Sequence, residues 1–383
     1  MKINQEAGLY IHIPFCRSKC PYCDFNSYPH RRELIPAYLE TLKREIDRYS
    51  DCSHVGSRHA MPRVKTIYIG GGTPTILSAS QMADVLETIR TRYKMVKGAE
   101  ITIEANPGTL DKAKLAELKA AGINRLSLGL QAMDDSLLSR IGRTHQVKDG
   151  LEAYYSAREA GFDNINCDLL FGLPTQKLSD WEKSLTTVLD LRPEHLSLYC
   201  LTLDLGKQGA ASLFKDRPTE EEELAMYDLA IDYLTAKGYE HYEISNFAQG
   251  GYRSLHNQIY WQNEEYLGLG AGAWSYLNKR RYSNPSDPVE YIEKGIKGQW
   301  PTVEEERLST RRTIGETIML GFRLVEGIKV SDLNRRFKID LEKMFSLPLG
   351  RLERDGLLER KNGHIRLTRQ GLHLADTVAL AFI

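Results

Sequence analysis

Ile13-Pro-Phe-Cys-Arg-Ser-Lys-Cys-Pro-Tyr-Cys23 decides the interpretation of this chain, because Cys16, Cys20 and Cys23 follow one another at the spacing C-x3-C-x2-C. Three thiolates can hold three irons of a [4Fe–4S] cube, and cysteines are the usual ligands of such clusters. The fourth iron then takes an exchangeable ligand. A structural zinc site and free thiols are the alternatives. Zinc prefers four ligands, usually in paired short spacings, and no second cysteine pair follows.

Length and composition exclude several classes of function. The 383 residues carry 51 Lys+Arg and 51 Asp+Glu, so no bulk charge favours nucleic acid or an acidic membrane surface. No stretch approaches the ~20 apolar residues of a membrane span. The start of the chain lacks the core of a signal peptide, which predicts a cytoplasmic protein. In a reducing cytosol Cys52, Cys167 and Cys200 are expected to be unpaired, the last two inside the core.

Short apolar runs alternate with amphipathic stretches in six successive units. The predicted strands are Gly8–Ile13, Val64–Ile69, Ala99–Glu104, Arg125–Leu130, Asn164–Leu170 and Leu196–Leu201. The predicted helices are Leu34–Tyr49, Ala79–Tyr93, Lys112–Ala121, a pair from Asp134 to Ala160, Ser179–Leu189 and Glu220–Ala236. Such alternation indicates a parallel sheet curled by right-handed crossovers. Six units predict a partial (β/α)6 barrel, with the functional site at the carboxyl ends of its strands.

The remainder of the chain predicts a second domain. The segment Lys279–Thr310 is polar and contains the run Asn284-Pro-Ser-Asp-Pro288, as expected of a boundary. We therefore expect a first domain over 1–280, a connection over 281–310 and a mostly helical domain over 311–383. Its predicted elements are the helices Thr313–Phe322, Val330–Phe337 and Met344–Asp355, a hairpin turning at Asn362-Gly363 and a final helix. This pattern is similar to a winged helix, but the balanced charge disfavours DNA binding.

A glycine run, Gly70-Gly71-Gly72-Thr73-Pro74, follows the second predicted strand. Glycines let a ligand approach the backbone and expose N–H groups to it, although a tight turn explains such a run equally well. Combined with the cysteine spacing and an aromatic residue, Tyr22, before the third cysteine, the run resembles the radical S-adenosylmethionine (SAM) superfamily. In that superfamily SAM chelates the open iron through its amine and carboxylate. The resemblance implies that the glycine loop pairs with the amino group of SAM.

Polar residues mark the ends of the later strands. Glu104 could accept hydrogen bonds from a ligand, Arg143 could pair with the SAM carboxylate, and Asp168 could bind a ribose hydroxyl. Gln131 ends the fourth strand. Each residue alone is more often structural than functional, and Asn106-Pro-Gly-Thr after Glu104 is typical of a turn. Because they stand at successive strand ends, we expect them to face one cavity.

Together these segments resemble the oxygen-independent coproporphyrinogen III oxidase family, from Tyr10 through Ser275 and beyond. The resemblance is carried by Tyr10-Ile-His-Ile-Pro-Phe-Cys, the glycine run, Glu104-Ala-Asn-Pro, Asn124-Arg-Leu-Ser-Leu-Gly-Leu-Gln, Ile141-Gly-Arg and Asp168-Leu-Leu-Phe-Gly-Leu-Pro. It implies a radical SAM partial barrel with a C-terminal mostly helical domain. It also implies that the SAM-binding positions are Tyr10, Gly72, Thr73, Glu104, Gln131, Arg143 and Asp168.

One departure places the chain nearer to one branch of that family. The oxidases carry a fourth cysteine two residues after the third, where this chain has Phe25, and they carry a longer segment before Tyr10. This departure resembles the HemW branch, which are heme chaperones. His256, Asn257 and Tyr260 match the H-N-x-x-Y motif implicated there in heme binding. A neutral imidazole is a common axial ligand of heme iron, but a hydrogen-bonded structural histidine is the alternative for His256. The small residues that follow, Tyr266-Leu-Gly-Leu-Gly-Ala-Gly-Ala-Trp274, suit close backbone packing or a flat cofactor.

The sequence thus favours a heme chaperone with a [4Fe–4S] cluster, SAM and heme, which passes heme to an acceptor protein. Cys16, Cys20 and Cys23 are the predicted cluster ligands, His256 the predicted heme ligand, and no residue is assigned a catalytic role. The alternative is an oxidase in which a 5′-deoxyadenosyl radical starts the decarboxylation of coproporphyrinogen III. A radical SAM enzyme with another substrate is a third reading. The acceptor, a membrane protein among the candidates, the cleavage of SAM and a homodimer are left open.

Overall fold

The computed structural model describes residues 6–50, 63–202, 215–300 and 304–383, so Cys52 and the first five residues lie outside it. The chain forms two compact units. The barrel unit comprises Met1–Ala230 and Glu265–Glu306, and the second unit comprises Ile231–Glu264 and Arg307–Ile383. The domain limits expected at 280 and 310 stay a prediction. The two units are defined by packing, and each consists of two separate stretches of the chain.

The barrel unit contains all six predicted strands, each parallel to the next, which confirms the fold class. They are β1 Glu6–Ile13, β2 Arg63–Gly71, β3 Met95–Ala105, β4 Arg125–Gln131, β5 Ile165–Phe171 and β6 His195–Cys200. The helices are α1 Ile35–Ser50, α2 Ala79–Arg92, α3 Lys112–Ala120, α4 Asp135–Arg140, α5 Val147–Glu159, α6 Leu178–Asp190 and α7 Glu220–Ala236. Short 3-10 turns occupy Arg32–Leu34, Pro74–Ile76 and Pro107–Thr109. Ser78, Asp111 and Asp134 cap α2, α3 and α4 by accepting backbone N–H groups, which satisfies donors that a helix start leaves unpaired.

The strands have an apolar face and a polar face. In β4, Leu126 and Leu128 are fully buried, and they alternate with Arg125 and Ser127, which are also buried. Successive side chains of a strand point to opposite faces, so the leucines belong to one face and the polar residues to the other. The same alternation occurs in β5 and β6, where polar residues pair across the strands. The polar faces therefore form the interior on which the site is built.

The sequence did not predict a seventh parallel strand, β7 Tyr266–Leu269, which pairs with β1 on the side opposite β2. It continues into two antiparallel strands, β8 Trp274–Leu277 and β9 Arg280–Ser283, followed by α8 Pro288–Ile296. Glycines weaken strand propensity, which concealed this strand. The expected close backbone packing is confirmed, since a Cβ on Gly268 would collide with the carbonyl of Trp274.

The second unit is mostly helical, as predicted. Its helices are α9 Leu255–Trp261, α10 Thr310–Gly321, α11 Val330–Phe337, α12 Leu341–Met344, α13 Ser346–Arg354, α14 Arg369–His373 and α15 Ala375–Leu380. Its strands are Glu240–Glu243, Asn246–Ala248, Ile328–Lys329, Leu358–Lys361 and His364–Leu367, and a short strand Glu304–Arg307 precedes α10. The predicted hairpin turn is confirmed, because Asn362 and Gly363 have φ of 51° and 78°, as a two-residue turn of the primed type requires. Among the described helices, none combines the length and apolar character that crossing a membrane demands.

A buried carboxylate ties α1 to the segment after β7. Glu45 is fully buried and accepts hydrogen bonds from the Gly270 N–H at 2.8 Å, the Asn284 amide at 2.6 Å and the Tyr291 hydroxyl at 2.6 Å. Burial raises the pKa of Glu45 to about 7, and the three donors oppose that rise. Above that pH the carboxylate form holds all three donors at once.

We expect Glu45→Gln to lower the free energy of unfolding by about 1–3 kcal/mol at pH 8, because the new amide group faces a donor and leaves it unsatisfied. Urea denaturation followed by circular dichroism measures the change. Glu40→Gln, an exposed position of the same helix, is the control and should change stability by less than about 0.5 kcal/mol. Equal stability of the two variants would show that the Glu45 contacts contribute nothing.

Candidate functional site

The three predicted cluster ligands follow β1. Cys16 ends the two-residue strand Phe15–Cys16, which pairs with Tyr28–Pro29, and Cys20 and Cys23 lie on the cysteine loop between these two strands. Cys16 is buried, while Cys20 and Cys23 are half-buried, and none forms a disulfide. The Cys23 N–H donates to the Cys20 carbonyl at 3.1 Å, which closes the turn between them. The Cys20 thiol donates to the carbonyl of Gly142 at 3.7 Å, and a Cβ at Gly142 would meet Pro21 at 2.6 Å. The loop is therefore packed against the segment that follows β4.

The chemistry of this loop fits an iron–sulfur cluster. Burial raises the pKa of Cys16, and the neighbouring Cys23 and Cys20 raise it further, so the three thiol groups share one neighbourhood. A coordinating metal removes this cost because it deprotonates the thiols that bind it. No group of three or more His, Cys, Asp or Glu able to hold one metal ion occurs in the described parts of the chain. A [4Fe–4S] cube does not require three ligands around one metal ion, because each thiolate binds a different iron.

The glycine run lies beside the cysteine loop. The N–H of Gly72 donates to the Ile13 carbonyl and that of Thr73 to the Phe15 carbonyl, both at 2.9 Å. A Cβ on Gly72 would lie 2.7 Å from the Phe15 oxygen and 2.9 Å from the Cys16 sulfur. Thr73 places its hydroxyl 3.5 Å from the same sulfur. Only glycine fits at position 72, and the run is in direct contact with Cys16, the first predicted cluster ligand.

Glu104 is in direct contact with the glycine run. Its carboxylate accepts the Tyr68 hydroxyl at 2.9 Å and the Gly71 N–H at 3.0 Å. Burial raises the pKa of Glu104 to about 7, with a further increase from the charge of Asp168. A cationic or hydrogen-bond-donating ligand would favour the ionised form of this carboxylate.

Tyr10 reaches the cysteine loop through a histidine that the sequence analysis did not select. The ring of His12 donates from Nε2 to the Asn26 carbonyl at 2.8 Å, so its Nδ1 accepts the Tyr10 hydroxyl at 2.9 Å. Burial lowers the pKa of His12, which favours the neutral ring, and the Asn26 carbonyl selects the tautomer with the proton on Nε2. The Tyr10 ring also stacks on Tyr68, with centroids 6.3 Å apart.

Gln131, Arg143 and Tyr22 meet at the end of β4. Gln131 has φ of 69°, in the left-handed region, and its amide nitrogen lies 2.9 Å from where a Cβ of Gly129 would be. Arg143 donates from Nη2 to the Gly129 carbonyl at 3.0 Å, while its buried Nε makes no hydrogen bond to any described residue. Burial raises the pKa of Tyr22, and the charge of Arg143 opposes that rise. A half-buried guanidinium whose Nε has no partner among the described residues fits a carboxylate ligand.

Asp168 belongs to a buried network that the sequence analysis missed. Its carboxylate accepts the Ser127 hydroxyl at 2.9 Å and the Asn166 amide at 2.7 Å. The Asn166 side-chain oxygen in turn accepts from His195 Nδ1 at 2.6 Å and from Ser197 Oγ at 3.1 Å. Burial raises the pKa of Asp168, and these partners oppose the rise. The sequence feature that could have identified this network is a pair of polar residues two positions apart in an otherwise apolar strand, such as Asn166 and Asp168.

The second unit holds the predicted heme residues on α9. Ser254 caps this helix by accepting the Asn257 N–H. His256 is 1% exposed, and its Nε2 lies 2.9 Å from the hydroxyl of Tyr260, one turn along the helix. The structure thus brings His256 and Tyr260 together, whereas Asn257 contributes its backbone to the cap. These residues and the barrel residues belong to different units, each described on its own.

Comparison with protein families gives two matches along the chain. Residues 10–188 match the radical SAM superfamily, and residues 308–374 match the HemN C-terminal domain. The chain is 38% identical to the heme chaperone HemW of Bacillus subtilis over 98% of each protein. It is 36% identical to the heme chaperone HemW of Lactococcus lactis over 100% of this chain and 98% of that protein.

Comparison with solved structures gives the same fold. Coproporphyrinogen III oxidase (HemN) from Escherichia coli, described as a radical SAM enzyme, superposes with a TM-score of 0.87. The match covers 100% of this chain and 91% of that one, at 24% sequence identity. At this identity the likeness shows the fold and no more.

We expect Gly72→Ala to reduce the iron and acid-labile sulfide bound after anaerobic reconstitution to less than half of the wild-type content. The added methyl group has no space between the Phe15 carbonyl and the Cys16 sulfur, so the loop must shift. Gly108→Ala is the matched control, because a Cβ there meets only atoms at 3.9 Å or beyond. Full iron content in Gly72→Ala would separate the glycine run from the cysteine site.

Proposed function

The chain belongs to the family of the heme chaperone HemW, within the radical SAM superfamily, and we propose that it binds heme and transfers it to an acceptor protein. The observation that carries the proposal is the 38% identity to a protein named as a heme chaperone along 98% of both chains. Similarity of that extent includes the cysteine loop, the barrel and the second unit. Phe25 occupies the position of the oxidases' fourth cysteine, and this substitution supports the same branch.

We assign the [4Fe–4S] cluster to Cys16, Cys20 and Cys23. When bound, the cluster would supply an open iron for the amine and carboxylate of SAM. The unsatisfied Nε of Arg143 suits the SAM carboxylate, the glycine run around Gly72 suits its amino group, and Asp168 suits a ribose hydroxyl. Tyr10, Tyr22, Thr73, Glu104 and Gln131 complete the proposed SAM site. A cationic group of the ligand would stabilise the charged form of Glu104 and Asp168, whose pKa values burial raises.

Heme would be held through His256 in the second unit. Neutral imidazole is a common heme ligand, and burial of the ring keeps it dry. Asn257 acts through the helix cap, and Tyr260 acts directly on the imidazole. The partner of the transfer is an acceptor protein, and a membrane protein, a homodimer and a cytoplasmic location stay predictions from the sequence.

Conversion of His256 to alanine should weaken heme binding by at least roughly tenfold, about 1.4 kcal/mol, because the iron loses its axial nitrogen. Titration of cluster-reconstituted protein with heme, followed at the Soret band, gives the affinity. His364→Ala, a half-buried histidine of the same unit, is the control and should bind heme as the wild type does. Unchanged heme affinity in His256→Ala would remove this residue from the site.

Replacement of all three loop cysteines by alanine should abolish the cluster, since the cube would lose every protein ligand. Iron and sulfide analysis after reconstitution measures the loss, and Cys200→Ala, which lies at the end of β6, serves as the control. A full cluster in the triple variant would contradict the assignment.

The alternative function, an oxidase, is distinguished from the heme chaperone by the product it would form. The reconstituted protein, given coproporphyrinogen III, SAM and a reductant, should yield no decarboxylated porphyrinogen while it still binds one heme per chain. Formation of protoporphyrinogen together with 5′-deoxyadenosine would overturn the chaperone proposal and restore the enzyme, despite Phe25.

A further inference from the structure

We propose that Tyr260 is an intramolecular competitor for His256: its hydroxyl occupies the nitrogen that heme iron must take, so heme binding and a His256–Tyr260 hydrogen bond exclude each other. This inference rests on the proposed function and assigns a regulatory role within the same site. It distinguishes Tyr260 from a heme ligand, which would strengthen binding rather than oppose it.

The geometry places the two side chains on the same side of α9. Residues four apart on a helix are neighbours on its surface. Here the Tyr260 hydroxyl lies 2.9 Å from His256 Nε2, and the rings meet edge to face with centroids 5.0 Å apart. The imidazole is almost fully buried and Tyr260 is half-buried. Burial of the imidazole shields its end of this hydrogen bond from solvent, which strengthens the bond.

Both protonation patterns of this pair withhold the nitrogen from iron. If the Tyr260 hydroxyl donates, it uses the lone pair of His256 Nε2. If Nε2 carries the proton and donates to the phenol oxygen, it has no lone pair to offer. Coordination through Nε2 therefore requires the hydrogen bond to break in either case, and the hydroxyl must turn away or find another partner.

The helix itself is held at both ends, so the tyrosine side chain is the part that can yield. At its start, the Ser254 N–H donates to the Tyr242 hydroxyl at 3.2 Å. Beyond its end, Asn263 donates to Thr317 at 2.9 Å, and Arg336 donates to the carbonyl of Asn263 at 2.6 Å. These contacts fix the backbone of α9 within the second unit. A rotation of one half-buried phenol disturbs fewer contacts than a shift of the helix.

Such competition suits a protein that must release what it binds. When heme leaves, Tyr260 recaptures the imidazole nitrogen and replaces part of the interaction lost with the iron. A hydrogen bond of ordinary net strength changes an equilibrium constant by about two- to tenfold. The hydroxyl therefore lowers heme affinity and speeds departure by a factor of that size.

The test is Tyr260→Phe, which removes the hydroxyl and keeps the ring, in the full-length, cluster-reconstituted chain. We expect heme to bind two- to tenfold more tightly, with an unchanged Soret position, and to pass more slowly to apomyoglobin as a heme-accepting probe. Tyr233→Phe, a half-buried tyrosine of the same unit, is the control and should alter neither quantity. Weaker or unchanged heme binding in Tyr260→Phe would overturn the competitor role.

A double-mutant cycle separates this inference from the proposed function. In a His256→Ala background, Tyr260→Phe should have no effect on heme affinity, because the nitrogen under competition is gone. If His256→Ala leaves heme binding unchanged, the proposed heme site fails. If His256→Ala weakens binding and Tyr260→Phe weakens it too, the heme site stands and only the competitor role of Tyr260 fails.

Discussion

The cysteine loop depends on how the end of β1 is held. The loop has little regular structure of its own, so hydrogen bonds must fix it. The Tyr38 hydroxyl donates to the His12 carbonyl at 2.7 Å and accepts the Ala271 N–H at 2.9 Å. The ring of His12 then holds the Asn26 carbonyl beyond the last cysteine. One buried tyrosine of α1 thus joins β1, the cysteine loop and the segment after β7, and Glu45 secures that segment from the next turns of the same helix.

Buried carboxyl groups are the second constraint on the molecule. Glu45, Glu104 and Asp168 all have raised pKa values because burial penalises their charge. Glu45 is surrounded by three donors and serves structure. Glu104 and Asp168 lie instead in the polar interior of the barrel, where Glu104 contacts the glycine run and the charge of Arg125 opposes the rise in the pKa of Asp168. Because burial penalises the charged form of both groups, a positively charged ligand would stabilise their carboxylates in this interior.

Periodicity was sufficient to predict most of the fold. The six parallel strands stood out because each is a short apolar run followed by an amphipathic helix, and Asn362-Gly363 identified the hairpin. β7 was not predicted because Gly268 lowers its strand propensity. Its partner β1 also lies more than 250 residues away in the chain, and a local sequence pattern carries no information about such a pairing. The segment predicted as a connection contains β9 and α8, whose polar residues concealed short ordered elements.

The site was predictable in a different way. Neither spacing nor periodicity distinguishes Glu104 or Asp168 from ordinary polar residues at strand ends, so their assignment came from family resemblance. The residues that support them, such as Tyr68 and Asn166, belong to no motif. Their positions depend on which strands become neighbours in the sheet, and that is determined by the tertiary structure. The sequence therefore predicts the residues that would touch a ligand better than it predicts those that orient them.

The two candidate sites differ in what binding would displace. The cysteine loop offers thiols held by weak hydrogen bonds, such as Cys16 to Thr73 at 3.5 Å and Cys20 to Gly142 at 3.7 Å, so a cluster loses little by replacing them. His256 offers a nitrogen already engaged by Tyr260 in a buried place. A ligand that must break such a contact binds less tightly than the same ligand on a free imidazole. The first arrangement suits a resident cofactor, and the second suits a cargo that is held for a time and then given up.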